Sequence, residues 1–408
     1  MNVLLVSEYF YPDQTGGTGT VVSELARVLH DEEGVTMSAL TSVHLYRGEA
    51  PRPLATRDNW KGIRIARLRT PKSNRPSTPL RLAAGLLFTA RAFLKLLRLP
   101  RPDLLFVVTN PPTVPMAVRL YSRLRRVPYV YLVHDLFPDV AVALSALSKE
   151  SKLAKLWGAF QRQWLHGAAR VIVLGRDMKA HLTRAYGLSP DKIEVITNWS
   201  DPTRIVPLPR ETRFRAQHGL SGTVVLYAGN FGQYQDFDTL LNAAKLTRDA
   251  DVTWVFVGEG AKKEYLTRRI ADEGISNARM FPFVPGDAFA DLLASADLSL
   301  VTLEPGAEGL GVPSKFYNIL ASGRPTLAVV ASDSEVAQTL REGDCGVAVT
   351  QGRPDELAAT VKRLAASPDE RHRLGCNARA LFEREYTLSA VARHYAQVLR
   401  AAGTGERT

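Results

Sequence analysis

Cysteine is almost absent from this chain of 408 residues, which contains only Cys345 and Cys376. The two lie far apart and form no CxxC pair, so the sequence excludes a disulfide scaffold and disfavours a structural zinc site. This usage is typical of a reducing cytoplasm. The sequence also lacks an HExxH motif, a nucleophile elbow and any paired metal ligands, so we predict a protein that works without a metal or other cofactor.

Long apolar runs are missing as well. No stretch of eighteen uncharged apolar residues occurs, and the sequence therefore predicts no membrane-spanning helix. The apolar run at Met1–Ser7 is short, carries no basic residue and is followed at once by Glu8. It predicts a buried first strand rather than a secretory signal.

Acidic residues are nearly absent from one segment. Between Lys61 and Leu132 there are fifteen Lys and Arg but only Asp103 as an acid, a charge of +14, while the other residues hold 37 bases and 40 acids, a charge of −3. The net charge of +11 therefore comes from this segment alone. A charge excess of this kind points to an anionic partner, either a membrane surface or a nucleic acid.

The segment Thr78–Leu99 within it is rich in Leu, Ala and Phe, and Arg91, Lys95 and Arg98 recur at helical spacing with no acid. This pattern predicts a basic amphipathic helix on an anionic membrane surface. The alternative is a helix that packs on a sheet and has a solvated basic face. Since neither interleaved aromatic residues nor a nucleic-acid module accompanies the charge, we predict no nucleic-acid partner.

Short apolar runs separated by helical stretches predict an α/β fold with doubly wound parallel sheets. A proline-rich polar stretch around residue 203 separates two series of runs, so we predict two Rossmann-like domains, 1–202 and 203–385, and a C-terminal helix and tail, 386–408, that crosses back to the first domain. The predicted strands are Val3–Val6, Thr36–Leu40, Arg64–Leu68, Leu104–Val108, Tyr129–Val133, Val171–Leu174 and Glu194–Ile196 in the first series, and Val224–Tyr227, Thr253–Val257, Met280–Val284, Leu298–Thr302 and Thr326–Val330 in the second.

Candidate binding residues follow the strands of the first series, where open α/β sheets bind ligands in a cleft. Gly16 and Gly17 lie between the first strand and a helix, in a loop that predicts either close approach to a phosphate or sugar or a simple tight turn. His134 and Asp135 follow another strand, with Asp139 shortly after. They are placed to hydrogen-bond a polar ligand or, alternatively, to cap the next helix.

The second series contains the densest pattern, Glu304–Asn318. Gly309 and Gly311 permit a flexible turn, and backbone N–H groups at the following helix start, together with Lys315, predict a diphosphate site. Glu308 would accept hydrogen bonds from sugar hydroxyls. The alternative is a surface loop with an ordinary Lys–Glu pair.

These patterns together resemble a known family, the retaining glycosyltransferases of family 4, whose two-domain architecture is called GT-B. The resemblance covers nearly the whole chain. Within the family, the chain is more specifically similar to bacterial exopolysaccharide and O-antigen transferases of the colanic-acid and fucosaminyl type. The segments that carry it are Ser7–Gly17, Asn110–Pro112, His134–Asp139, Asn198–Asp201, Gly229–Gly232, Val257–Gly260 and Glu308–Gly323.

The resemblance implies a role for each matching residue. Glu308 corresponds to a glutamate that contacts the transferred sugar, and Phe281–Val284 to the region that holds the nucleotide base. The implied catalytic residues are His134, Glu308 and Lys315. The implied donor-binding residues are Gly16, Gly17, Gly229, Asn230, Gln235, Phe283, Val284, Gly309, Leu310, Gly311, Ser314 and Asn318. The implied acceptor-binding residues are Thr18, Asp135 and Asp139.

Three positions depart from the family pattern. Asn318 occupies the place of a second glutamate that contacts ribose, and Asn230 and Gln235 stand where many members carry an arginine and a lysine on the diphosphate. The charge of the leaving group is then left to backbone amides and Lys315.

The sequence therefore predicts a cytoplasmic enzyme, peripheral on the inner face of the membrane. It would transfer a sugar from a nucleotide sugar, a uridine diphosphate sugar being favoured, to a lipid-linked or saccharide acceptor in cell-surface polysaccharide biosynthesis. Two alternatives stay open: a nucleotide-sugar 2-epimerase of the same fold, and a non-catalytic partner that binds sugar nucleotides in an assembly complex.

Overall fold

Two compact units make up the chain. The computed structural model describes residues 1–13, 17–45, 53–72, 78–284, 286 and 288–405, apart from the side chains of 78 and 79. The first unit contains Met1–Leu174, Met178–Thr197 and Leu388–Thr408, and the second contains Gly175–Asp177 and Asn198–Thr387.

Each unit is built on one sheet. The first sheet has the strand order β3-β4-β2-β1-β5-β6-β7-β8 and the second the order β11-β10-β9-β12-β13-β14. All neighbouring strands run parallel except β3 and β4. The strands are β1 Asn2–Val6, β2 Thr36–Ser42, β3 Arg57–Trp60, β4 Ile63–Leu68, β5 Leu104–Val108, β6 Tyr129–Val133, β7 Arg170–Val173, β8 Ile193–Val195, β9 Thr223–Ala228, β10 Val252–Val257, β11 Ala278–Phe281, β12 Leu298–Thr302, β13 Thr326–Val329 and β14 Gly346–Val349.

Helices connect the parallel strands. They are α1 Thr18–Asp31, α2 Thr78–Leu96, α3 Val114–Arg125, α4 Asp139–Ala143, α5 Lys152–Gly167, α6 Arg176–Tyr186, α7 Arg213–His218, α8 Phe237–Leu246, α9 Lys263–Asp272, α10 Phe289–Ala294, α11 Lys315–Ala321, α12 Glu335–Gly343, α13 Pro354–Ala365, α14 Pro368–Leu381 and α15 Leu388–Thr404. A 3₁₀ turn at Pro190–Lys192 precedes β8, and a π-helical turn at Phe382–Tyr386 follows α14.

The central strands are buried along their whole length, as β5, β6 and β12 illustrate. Strands covered on both faces are expected to be continuous apolar runs, and this is the signal by which the sequence identified them. The predicted fold class, two doubly wound parallel sheets, is confirmed.

Three strands differ from the predicted set. The antiparallel β3 was missed because its residues are polar and largely exposed; it pairs with β4 through a tight turn in which Lys61 and Gly62 both have positive φ. The sequence also missed β14. The strand predicted at Met280–Val284 is wrong in position, since β11 ends at Phe281 and Pro282, which has no N–H for the ladder, follows it.

The C-terminal helix α15 belongs to the first unit, where it packs against α1 and β5. Tyr395 is fully buried and its ring contacts that of Phe106 edge-on, with centroids 6.0 Å apart.

Candidate functional site

Two glycine loops lie side by side at the carboxyl edge of the second sheet. Gly229 follows β9 and Gly258 follows β10, and the Gly229 N–H donates to the carbonyl of Val257 over 2.9 Å. A Cβ on Gly258 would lie 1.9 Å from the carbonyl oxygen of Gly229, and Gly258 has a φ of +152°. Because no side chain fits in that space, the two loops can approach only through glycine.

Gln235 and Lys262 bind this pair of loops to the segment after β12. The Gly232 N–H donates to Gln235 Oε1 over 2.9 Å, and Lys262 Nζ donates to the Gln235 carbonyl over 2.8 Å. Lys262 also forms an ion pair with Glu304. Asn230 lies on the same loop with an exposed side chain. Lys262, which sequence reasoning missed, therefore puts a cation beside Gln235.

Glu308 is held by both of its carboxylate oxygens. The Gly306 N–H donates to Oε2 over 2.8 Å, and Gln351 Nε2 donates to Oε1 over 2.7 Å. The next residue, Gly309, has a φ of +72° and donates its N–H to Asp177 Oδ2 over 3.3 Å. The carboxylate thus has a fixed orientation while its side chain remains half-buried.

Asp177 and Gln351 hydrogen-bond the predicted site residues Gly309 and Glu308, and the sequence did not reveal either contact. Asp177 belongs to a segment of three residues, Gly175–Asp177, that joins the second unit from a distant part of the chain. In that segment Arg176 forms ion pairs with Glu335 and Glu342. Nothing in the sequence marks so short a crossing, because the strand and helix around it continue the pattern of the first unit.

Lys315 begins α11 with a half-buried side chain whose amine is shielded from solvent. Its Nζ lies 3.6 Å from the centroid of the Tyr227 ring and has no hydrogen-bond partner among the described residues. Burial lowers the pKa of this amine to about 7. Lys315 therefore does not form the Lys–Glu pair with Glu308 that the sequence left open.

The remaining predicted donor residues have varied surroundings. Leu310 is buried, Gly311 and Asn318 are half-buried, and Ser314 is exposed. Phe283, just beyond β11, exposes 63% of its surface, an unusual exposure for an aromatic residue.

Val284, next to Phe283, packs against the core of the second unit. The exposed ring of Phe283 therefore stands on a segment that the packing of Val284 against the core holds in place.

His134 follows β6 on the first unit. The backbone N–H groups of His134 and Asp135 point to Thr109 Oγ1, at 3.2 and 3.4 Å, which fixes the start of this loop. The Nε2 atom of His134 is buried and lacks a hydrogen-bond partner among the described residues. Burial lowers the pKa of the imidazole to about 4, so the ring is neutral at physiological pH.

The Asp139 side chain is hydrogen-bonded to other residues of the first unit. Its carboxylate accepts hydrogen bonds from His181 Nε2, at 3.0 Å, and from the Tyr186 hydroxyl. Burial raises the pKa of Asp139, but these hydrogen bonds outweigh it and hold the pKa below its usual value. Asp135, by contrast, is exposed. Of the two predicted acceptor carboxylates, only Asp135 presents a side chain free of such a network.

The glycine loop after β1 is described in part. Gly16 lies outside the described residues. Gly17 precedes α1 with a φ of 78°, and Thr18 is the first residue of the helix. Gly19 is also required, since a Cβ there would lie 2.6 Å from Asp13 Oδ2.

The predicted basic helix is α2, which ends at Leu96 rather than at the predicted Leu99. Arg91 and Arg98 are exposed and Lys95 is half-buried, and the Arg91 guanidinium donates to the carbonyl of Arg69. The exposed face of this helix also carries large apolar side chains, Leu80, Leu86, Leu87 and Leu94.

Helices α3 and α5 also expose large apolar side chains. On α3, which packs against α2, Met116, Leu120 and Leu124 are exposed at a spacing of four residues. On α5, which packs against α3, Leu153, Leu156 and Phe160 are exposed. Within the described ranges, no helix is long and apolar enough to cross a membrane, and no three His, Cys, Asp or Glu side chains gather as metal ligands.

Comparison with known families matches almost the whole chain. A model described as "Glycosyl transferase 4-like domain" covers residues 16–199, and one described as "Glycosyl transferases group 1" covers residues 210–381. Among curated proteins, the chain is 28% identical over 369 residues to "Probable glycosyltransferase WbjE" of Pseudomonas aeruginosa, covering 89% of both chains. It is 30% identical over 294 residues to "Putative colanic acid biosynthesis glycosyl transferase WcaI" of Escherichia coli K12, covering 70% of this chain and 72% of that one.

Solved structures share the fold. Sucrose-phosphate synthase from Thermosynechococcus elongatus superposes with a TM-score of 0.77 at 17% identity, covering 99% of this chain and 100% of the other. HepE from Anabaena, solved in complex with UDP-glucose, superposes with a TM-score of 0.71 at 18% identity, covering 98% of this chain and 100% of the other. At these identities the likeness concerns the fold, which is GT-B.

Proposed function

The chain belongs to glycosyltransferase family 4, and from this membership we propose that it moves a sugar from a nucleotide sugar, with retention of configuration, to a lipid-linked or saccharide acceptor in cell-surface polysaccharide biosynthesis. The observation that carries the proposal is the carboxyl edge of the second sheet. There the Glu308 carboxylate has a fixed orientation, the paired glycine loops expose backbone without side chains, and the buried amine of Lys315 lies against Gly229.

The donor would occupy this edge in three parts. Its diphosphate would approach the backbone at Gly229 and Gly309, where the absence of side chains permits close contact. Its sugar hydroxyls would donate to Glu308. Its base would lie against the backbone near Val284, with the exposed ring of Phe283 available for stacking.

The proposed transfer reaction requires the protein mainly to position the substrates and to stabilise charge. Among the described residues at this edge, no side chain is set up as a nucleophile. A reaction on one face of the sugar lets the leaving phosphate take the proton of the acceptor hydroxyl. The enzyme's contribution is then to orient the two substrates and to stabilise the departing diphosphate. In our proposal Lys315 and the backbone amides at the start of α11 supply that stabilisation.

Residues of the first unit would serve the acceptor. The neutral imidazole of His134 can accept or donate a single hydrogen bond to a hydroxyl, and its unpartnered Nε2 supports such a role. Asp135 and Thr18 would complete this set. For Asp139 the network with His181 and Tyr186 favours an indirect part, in which it fixes α4 to α6.

Two named relatives support the choice of substrates. The WcaI protein is named for colanic acid biosynthesis, and HepE was solved with UDP-glucose. We therefore favour a uridine diphosphate sugar as donor and a growing polysaccharide, free or lipid-linked, as acceptor.

We further propose that α2 holds the enzyme on the cytoplasmic face of the membrane. The helix exposes Leu80, Leu87 and Leu94 together with Arg91 and the half-buried Lys95, and the exposed Arg98 follows two residues after its end. Apolar side chains between cations are what an interfacial helix needs, because the leucines enter the headgroup region while the cations meet anionic lipid. The exposed apolar side chains of α3 and α5 would extend this membrane-binding surface.

A transfer assay tests the proposed reaction. The full-length protein is incubated with a panel of radiolabelled UDP-sugars and a lipid extract of the source membranes, and the labelled lipid is measured. We expect transfer from one donor, and a loss of about 100-fold in Glu308→Gln, since the carboxylate would no longer pair with the sugar. Glu264→Gln, at an exposed position of α9, is the matched control and should retain full activity.

The same assay separates the alternatives. Conversion of the free nucleotide sugar without any acceptor would replace the proposal by an epimerase. Binding of a nucleotide sugar with no turnover across the donor panel would indicate a non-catalytic partner. Equal transfer by wild type and Glu308→Gln would remove Glu308 from the mechanism.

A further inference from the structure

The amine of Lys315 has no counter-charge in the second unit as described. Its Nζ is buried, receives and donates no hydrogen bond among the described residues, and lies over the face of the Tyr227 ring at 3.6 Å. A cation over an aromatic face is stabilised only modestly. Such a contact does not replace the solvation that a buried ammonium loses.

No ionisable side chain joins Lys315 in lining the small cavity that the residue borders. The other lining residues are Leu226 and Ala228 of β9, Phe289 and Leu293 of α10, Ser299 of β12, whose buried hydroxyl has no hydrogen-bond partner among the described residues, and Ile319 of α11. None of these residues is ionisable. The titratable group that faces the amine is the Tyr227 phenol, whose hydroxyl donates to the Asn230 carbonyl over 2.8 Å and whose pKa burial raises far above the physiological range.

An amine in such a place gives up its proton readily. Burial penalises the charged form, and for Lys315 the effect lowers the pKa to about 7. Above that pH the amine is mostly neutral as long as no anion is near. A nearby dianion would reverse the balance, because an opposite charge within a few ångströms favours the ammonium.

The loop at Gly229, where we propose that the donor diphosphate binds, lies next to the Lys315 amine. A Cβ on Gly229 would lie 3.1 Å from Lys315 Nζ, so the amine lies directly against the backbone of the loop at which the donor diphosphate would bind. Any larger residue at 229 would separate the amine from that loop. The ligand that this arrangement fits is a diphosphate, whose charge would reach the amine across the Gly229 backbone.

We propose that a nucleoside diphosphate binds this protein together with one proton, which Lys315 takes up, so that the ammonium exists when the leaving group needs it. This inference rests on the proposed function, since it uses the same diphosphate site. It adds that affinity for the donor depends on pH through a residue of the site itself. No bond other than N–H forms or breaks in this step, and the proton comes from the solvent.

Calorimetry tests the proton uptake directly. The full-length protein is titrated with UDP at pH 8 in two buffers that differ in ionisation enthalpy, and the difference in observed heat gives the number of protons exchanged. We expect close to one proton taken up per UDP at pH 8 and progressively less uptake as the pH falls below 7, where the amine is already charged. The β-phosphate has its second pKa near about 6 and is fully ionised at pH 8, so it contributes no uptake there.

The affinity should follow the same linkage. Above pH 7 the dissociation constant for UDP should rise about tenfold per pH unit in the wild type, because each unit lowers the fraction of ammonium tenfold. In Lys315→Met, a change that keeps the length and apolar packing of the side chain, both the uptake and this slope should vanish. In Lys315→Arg the charge is permanent, so UDP should bind without proton uptake.

Lys362→Met is the matched control, since Lys362 is exposed on α13 and pairs with Asp249. It should take up the same proton as the wild type. Melting curves without ligand show that each variant is folded.

UDP binding with equal heats in both buffers at pH 8 would overturn the inference and leave the proposed function intact. Uptake that persists in Lys315→Met would overturn it as well. If neither UDP nor inorganic pyrophosphate binds the wild type, the proposed function fails and this inference fails with it.

Discussion

At the scale of single residues, the carboxyl edge of the second sheet depends on positions where no side chain fits. Gly258 is the clearest case, since its Cβ would lie 1.9 Å from the Gly229 carbonyl oxygen and its φ is +152°. The strands before Gly229 and Gly258 pair in register up to Ala228 and Val257, so neither loop can move away without breaking the ladder.

Gly258→Ala should therefore cost about 3 kcal/mol of unfolding free energy, from backbone strain and overpacking together. It should also abolish UDP binding, because the Gly229 loop would be displaced. Gly274→Ala is the control: its φ is +55° but nothing lies within 4 Å of a Cβ there, and we expect a loss of about 1 kcal/mol. Urea unfolding and UDP titration measure both, and equal losses would contradict the account.

The residue scale also marks the limit of what the sequence could predict. Glu308, Lys315 and His134 could be predicted as candidate site residues because they follow buried strands in a recognisable pattern, and these assignments stay predictions. The sequence could not give the surroundings that define their chemistry. The lack of a counter-charge at Lys315 depends on β9, α10 and β12 packing around it, and the support of Gly309 by Asp177 depends on a crossing of three residues.

At the scale of elements, strands were predictable where burial makes them continuous and apolar. The ends of strands were less predictable: β11 ends at Phe281, three residues short of the predicted end at Val284, and Pro282 follows it. The strand β3 was invisible because its side chains face water, and only its pairing with β4 makes it a strand. Helix α2 was predicted from its cations, but the exposed leucines beside them emerge only once the sheet side of the helix is known.

The membrane role of α2 can be tested by flotation with liposomes that contain anionic lipid. Replacement of Arg91, Lys95 and Arg98 by Gln should weaken binding roughly 100-fold, since each cation near an anionic surface contributes about 1 kcal/mol. Replacement of Leu80, Leu87 and Leu94 by Ser should weaken it further and also on neutral lipid. The control changes three exposed arginines of the second unit to Gln, Arg213, Arg268 and Arg353.

If the α2 variants float as well as this control, α2 is not the membrane element. If all proteins stay unbound, the proposal of a peripheral enzyme fails, although the transfer reaction is unaffected.

At the scale of the whole molecule, the charge distribution separates two tasks. The net charge of +11 is concentrated as +14 between residues 61 and 132, all of them in the first unit. The second unit, with 22 Lys and Arg and 26 Asp and Glu, has a net charge of −4 and therefore no general attraction for anions. Donor binding must therefore come from local features, the glycine loops, the fixed Glu308 and the buried amine, and not from the overall field.

The claim that the nucleotide diphosphate binds at this edge of the second sheet can be tested most directly by amide hydrogen exchange with and without UDP. We predict slower exchange in the loops 229–235, 258–262 and 306–318, and unchanged exchange in the core strands β5 and β6 of the first unit, because a ligand that binds the native loops suppresses their local opening. UDP binding that leaves these three loops unprotected, or that protects other segments instead, would contradict the account.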